Sequence, residues 1–164
     1  MSAFDSAVAH VLVHEAGYSN DPRDPGGETN WGISKRQYPT VDIKNLTRVQ
    51  AIEIYRRDYW DKCRCGDLPP ALGFVVMDCA VNQGCDEKSD FYAQRNLQRA
   101  IGAKDDGRIG PRTIATALTA GIGAVARFQT ARLRRYAALK TWATYGKGWT
   151  LRAADTLDAA VKLA

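Results

Sequence analysis

Apolar residues recur at helical spacing along nearly the whole chain, and apolar–polar alternation is confined to the stretch 17–34. A chain patterned in this way buries its side chains by packing helix on helix. The expected fold is therefore mainly α, with a small loop or β-hairpin lobe after the first helix. Phe4, Ala7, Val8, Val11 and Leu12 define that first helix. A second helix is predicted from Thr47 to about Lys62, with Ile52, Tyr55 and Tyr59 on one stripe and Glu53 paired four residues ahead of Arg57. Pro69-Pro70 open a third, because proline suits the first turn. Further helices are predicted over 87–101, 111–120, 123–143 and 149–162.

Glu15 extends the apolar stripe of the first helix by one turn and is followed by Gly17, Pro22, Pro25, Gly26 and Gly27, which cannot continue a helix. A carboxyl at the end of a buried face is partly desolvated, which favours its protonated form. The chain must then fold back, bringing Asp21, Asp24 and Thr29 round toward the helix end. One proton-holding carboxyl opposite one loop carboxylate is the arrangement that glycoside hydrolysis uses. Tyr18 and Trp31 flank the loop, either as sugar-stacking faces or as the loop's own small core. Asp78 stands among apolar neighbours and shares a helix face with Asn82, so the pair either closes a buried hydrogen-bond network or lines a cleft. Of the two, Asn82 is the better sugar-contact candidate.

Several other chemistries are disfavoured. His10 and His14 are four apart, but the order is not His-Glu-x-x-His and the chain has no third histidine, so no metal is expected. Both histidines lie on the Glu15 helix and no nucleophile elbow is present. There is no Gly-rich phosphate loop either, and no cofactor is expected.

The segments Glu15-Ala-Gly-Tyr18, Asp24-Pro-Gly-Gly27, Thr29 and Trp31-Gly-Ile33 resemble the N-terminal motif of the glycoside hydrolase family 108 muramidases of phage endolysins and bacterial lysozyme-like proteins. The similarity continues through Tyr59-Trp60, Asp78-Cys-Ala-Val-Asn82-Gln-Gly84, Leu97-Gln98, Asp106-Gly-Arg-Ile-Gly-Pro-Arg-Thr113, and Gly148-Trp149 with Arg152. One departure is Ala16, where the family usually has glycine. The resemblance implies a lysozyme-like catalytic region over 1–92. It also implies a helical, peptidoglycan-binding-like region over 93–164 packed on it as one compact unit. It further implies an N-acetylmuramidase that hydrolyses the β-1,4 bond between N-acetylmuramic acid and N-acetylglucosamine. Glu15 is then the general acid, with Asp24 and Thr29 assisting water and Tyr18, Trp31 and Asn82 contacting sugar. Two alternatives remain open: a lytic transglycosylase that leaves anhydro-muramic ends, and a peptidoglycan-binding module without turnover.

Charge is divided unevenly. Residues 1–93 carry 10 Lys/Arg against 14 Asp/Glu, and residues 94–164 carry 13 against 4. A basic C-terminal half points to a polyanionic partner, such as cell-wall polymer or an anionic outer-membrane surface. No nucleic-acid recognition signature accompanies it, so nucleic acid is not expected. Arg127, Arg132, Arg134 and Arg135 read either as part of that partner face or as solvated helix faces. Cys63, Cys65, Cys79 and Cys85 lack zinc spacing and are expected to be free thiols. No apolar run is long enough for a membrane span. The first ten residues lack the basic start and greasy core of a signal peptide. The expectation is a monomer made in the cytoplasm that reaches the wall after a holin opens the membrane.

Overall fold

The computed structural model describes residues 2–15, 17–20 and 27–164. Among these it holds seven α-helices: α1 (Ala3–His14), α2 (Arg48–Tyr55), α3 (Pro70–Gln83), α4 (Tyr92–Ile101), α5 (Pro111–Thr119), α6 (Gly123–Ala137) and α7 (Trp142–Val161). One antiparallel hairpin follows α1, with β1 (Thr29–Asn30) on β2 (Ile33–Ser34), Thr29 facing Ser34 and Asn30 facing Ile33. The fold is mainly α, as the periodicity predicts, and lysozyme-like, as the resemblance implies. None of the described helices is long and apolar enough to cross a membrane.

The ends of α1 are chemically defined. Ser2 accepts from the Asp5 amide while the Asp5 carboxylate accepts from the Ser2 amide, so two otherwise orphaned donors are satisfied. At the other end the Glu15 amide donates to Val11 O at 3.0 Å, and Gly17 turns away at φ +111°. Five apolar residues of α1, from Phe4 to Leu12, lie in the core.

Helix α3 is the axis of the molecule. Every residue from Ala71 to Ala80 is buried, and α1, α4, α6 and α7 all pack against it. Phe74, Val75, Val76 and Met77 each contribute on the order of 1.5–3 kcal/mol by leaving water. Close approach is built in at Gly73, where a Cβ would lie 2.5 Å from Cys65 O. One continuous core runs from Phe4 to Ala160, through both the N-terminal and the C-terminal helices. All four cysteines are buried free thiols. Burial pushes the Cys79 thiol up to about 12.

Four helix boundaries differ from expectation. The helix predicted from Thr47 to about Lys62 is α only as far as Tyr55 and runs on as a π-helical turn, Arg56–Asp61. The predicted helix 87–101 is a short 3-10 turn, Glu87–Ser89, followed by α4, because Asp90 and Phe91 both take left-handed backbone at φ +52°. The predicted 123–143 helix stops at Ala137, although no glycine or proline marks the stop. Helix α7 begins at Trp142 rather than 149, and so carries Gly146 and Gly148 inside it. An interior glycine is disfavoured by about 1 kcal/mol against alanine. At Gly146 packing demands it, since a Cβ there would sit 2.6 Å from the Trp142 ring.

Candidate active site

The hairpin rests on the end of α1. Its turn is tight because Trp31 (φ +52°) and Gly32 (φ +75°) both have positive φ. At Gly32 a Cβ would strike the Tyr55 hydroxyl and lie 2.7 Å from Glu15 Cβ. The Tyr55 hydroxyl donates to Trp31 O at 2.9 Å and clamps the turn onto Glu15. Burial, and after it the Glu15 charge, pushes the Tyr55 phenol far up, so it remains a neutral donor. Ser19 and Thr29 exchange two backbone hydrogen bonds of 2.8 Å, which ties the strand to the residues just after α1. The packing that seats Glu15 is thus local: helix end, hairpin turn and one tyrosine.

Glu15 keeps 28% of its side chain exposed and has a partner that the pattern of the sequence did not reveal. Arg152, delivered by α7, donates from Nη1 to Glu15 Oε1 at 2.5 Å. Among the described residues no donor reaches the other oxygen of Glu15. Arg152 also donates from Nε to Asp78 Oδ1 at 2.9 Å, so one guanidinium bridges a half-exposed and a buried carboxylate. Such bidentate reach is what distinguishes arginine from lysine.

Asp78 is 1% exposed and lies at the centre of this cluster. Arg132 Nη1 is 2.6 Å from its Oδ2, but the N–H points off the oxygen, so this contact acts through charge. Thr156 Oγ1 donates to the same oxygen at 3.1 Å. Burial alone would raise the Asp78 carboxyl. Arg132 and Arg152 outweigh that and hold it well below the usual carboxylate range. Asp78 thus faces both guanidiniums, while Glu15 faces that of Arg152. Arg132, which could have been a solvated helix-face residue on sequence alone, is 0% exposed and structural. Arg127 is also engaged, through Nε to Ala100 O at 2.6 Å.

The other predicted residues fall as follows. Thr29 is half-buried in β1, and its hydroxyl donates to Gly27 O at 3.2 Å. Asp21 and Asp24 lie outside the described residues. Tyr18 is exposed, with its hydroxyl on Glu28 Oε1 at 2.9 Å. Trp31 donates from its indole to Leu46 O at 3.0 Å and packs against the core. Asn82 Oδ1 accepts from the Tyr136 hydroxyl at 2.5 Å. His10 sits 3.0 Å from Thr156 Oγ1 and is held below its usual range by burial. No metal-binding cluster is present among the described residues. The segment 106–113 is clamped by Gln98, which accepts from the Gly107 amide at 2.8 Å and donates to Asp106 Oδ1 at 2.8 Å.

Residues 8–84 match the family model described as Glycosyl hydrolase 108. Among solved structures, that of Brucella abortus SagA matches with a TM-score of 0.83 at 33% identity, over 98% of this chain and 94% of that one. No curated protein matches the sequence. The fold is helical and lysozyme-like, and the family match makes the protein a glycoside hydrolase. The chain belongs to glycosyl hydrolase family 108, whose enzymes are of the N-acetylmuramidase type.

Proposed function

We propose that this protein is an N-acetylmuramidase that cleaves the β-1,4 bond between N-acetylmuramic acid and N-acetylglucosamine in peptidoglycan, with Glu15 as the general acid. The observation that carries this reading is the half-exposed Glu15 carboxyl, fixed through Oε1 by Arg152, with no partner for its other oxygen among the described residues. In this mechanism the free oxygen carries the proton to the leaving glycosidic oxygen as positive charge develops on the sugar ring. Arg152 then faces the carboxylate left behind and stabilises it, while Asp78 holds Arg152 in place. Water completes the hydrolysis, assisted by Thr29 of β1 and by Asp24, which precedes it in the chain. Tyr18 and Trp31 border the same stretch of chain and supply aromatic contact to the glycan.

The endolysin role belongs to the same proposal, with cytoplasmic synthesis and release to the wall by a membrane-opening partner. The C-terminal region is proposed to draw the enzyme to the anionic wall or outer-membrane surface. An open groove of about 630 Å³, bordered by Lys104, Arg108 and Arg112, offers a basic face there.

The direct test is release of soluble fragments from purified sacculi at neutral pH, read beside co-sedimentation with the same sacculi. The expected result is solubilisation. Co-sedimentation without release would replace the enzyme with a binding module.

Arg152→Lys tests the positioning role. Lysine offers one point charge and cannot bridge Glu15 and Asp78, and a displacement of about 1 Å at a reacting group can reduce the rate about 10²-fold. The expected outcome is a kcat lower by about 10- to 100-fold with little change in KM, measured as fragment release. An unchanged kcat would remove Arg152 from the mechanism.

A further inference from the structure

The hydrogen bonds that hold Arg152 reach back to a histidine on α1. Thr156 Oγ1 lies 2.6 Å from Arg152 O and 3.1 Å from Asp78 Oδ2. A carbonyl and an ionised carboxylate only accept, so the single hydroxyl proton of Thr156 is spent on them. Toward His10 Nε2, 3.0 Å away, the hydroxyl therefore accepts. That fixes the tautomer: His10 carries its proton on Nε2, and Nδ1 is the atom that gains one in acid. Four side chains then form one line, from His10 through Thr156 and Asp78 to Arg152, and Arg152 ends on Glu15.

The ring is set up to stay neutral. Its side chain is 12% exposed. The Phe74 ring of α3 packs 5.1 Å from it, and the His14 ring of α1 lies at 4.8 Å. Charge reaches it from Asp78 on α3 and from Arg152 and Asp155 on α7. Burial is the largest influence, and together with His14 and Arg152 it outweighs the two carboxylates, holding the imidazole below its ordinary 6.5. What a proton on this ring would disturb is specific. His10 Nε2 is 4.0 Å from Asp78 Oδ1, the same oxygen that accepts from Arg152 Nε at 2.9 Å. An imidazolium would be a third cation on that carboxylate, after Arg132 and Arg152. It would draw Oδ1 toward α1 and weaken the hold on Arg152.

We propose that His10 is a positioning residue for Glu15. As a neutral ring it donates to Thr156 and leaves Asp78 Oδ1 to Arg152; as an imidazolium it competes with Arg152 for that oxygen and lets Glu15 shift. The effect on turnover rests on the reading of Glu15 as the general acid, whereas the contest for Asp78 does not.

The test is the pH profile of kcat on purified sacculi for wild type, His10→Gln and His10→Leu, with a melting curve at each pH. Glutamine puts an amide N–H where the ring Nε2–H lay and never gains charge; leucine supplies no donor. One pH unit below the His10 midpoint about one wild-type molecule in ten keeps a neutral ring, so kcat is expected to fall about tenfold there with KM little changed. His10→Gln is expected to postpone that fall to the carboxylate range, near pH 4 or about two units lower. His10→Leu is expected to lower kcat about tenfold near neutral pH, and its shortfall against His10→Gln separates the donor from mere packing. Stability carries the same sign. A ring held below 6.5 in the folded chain stabilises fully above that value, and the contribution is lost as pH falls through the folded one. His10→Gln therefore loses less Tm in acid than wild type. An acid limb of kcat that stays in place in His10→Gln overturns the positioning role, whatever Tm does. A wild type without turnover, or turnover that survives Glu15→Gln, fails the muramidase reading instead. The Tm comparison then decides the contest for Asp78, and equal acid slopes in wild type and His10→Gln overturn it.

Discussion

Glu15→Gln lowers fragment release from peptidoglycan by about 10³-fold while leaving the fold in place. The magnitude is that of removing a positioned general acid, which contributes about 10²–10⁴-fold. Glutamine keeps an oxygen to accept from Arg152 Nη1 and fits between the Gly32 turn and α1, but it has no proton to give the leaving group. Glu15 lies at the end of its helix and is partly exposed, so the loss of charge shifts Tm by only a few degrees. The check is kcat on purified sacculi together with circular dichroism and a melting curve. A variant retaining more than about a tenth of wild-type turnover would assign the proton to another group.

Asp78→Asn produces the largest loss of stability. Among the described residues Asp78 is the only carboxylate facing both Arg132 and Arg152 from inside the core, and Arg132 is completely buried. Removing one partner of a buried ion pair strands the other charge and is destabilising by about 3–5 kcal/mol. For a chain of this size about 1 kcal/mol moves Tm by about 2–4 °C, so a fall of about 6–20 °C is expected in calorimetry. The pH dependence has a definite sign. The folded-state carboxyl is depressed below its ordinary 3.8, so its stabilisation is full above that value and is lost as pH falls below it. The gap between wild type and Asp78→Asn therefore narrows only under acid. A Tm within about 3 °C of wild type at pH 7 would show that the arginines do not depend on Asp78.

What the sequence revealed and what it hid divide along chain distance. The α1 stripe, the proline start of α3 and the hairpin after Gly27 were legible because each rests on local rules: helical period, proline at the first turn, glycine in tight turns. Asp78 was legible as a charge needing partners, since it stood alone in an apolar helix. Its partners were not. Arg152 lies 137 residues from Glu15 and 74 from Asp78, and nothing in helical periodicity couples positions so far apart. Arg132 lay in a run of arginines whose composition looked like solvated surface. The break between α6 and α7 was hidden because Ala137, Ala138 and Leu139 all favour helix, and of the two glycines inside α7 that looked like breakers, Gly146 sits under Trp142 while Gly148 faces open space. The left-handed pair Asp90-Phe91 was missed because phenylalanine is rarely found there.

The chemistry of the new chain ends separates hydrolysis by Glu15 from its rivals. Peptidoglycan fragments released by the wild-type protein are reduced with borohydride, hydrolysed and analysed by mass spectrometry. Reduced muramic acid is expected at the new ends, and is absent when Glu15→Gln is used instead. Reduced glucosamine would move the cut to the other glycosidic bond, and anhydro-muramic ends that resist reduction would mean that no water attacks, contradicting the hydrolytic mechanism.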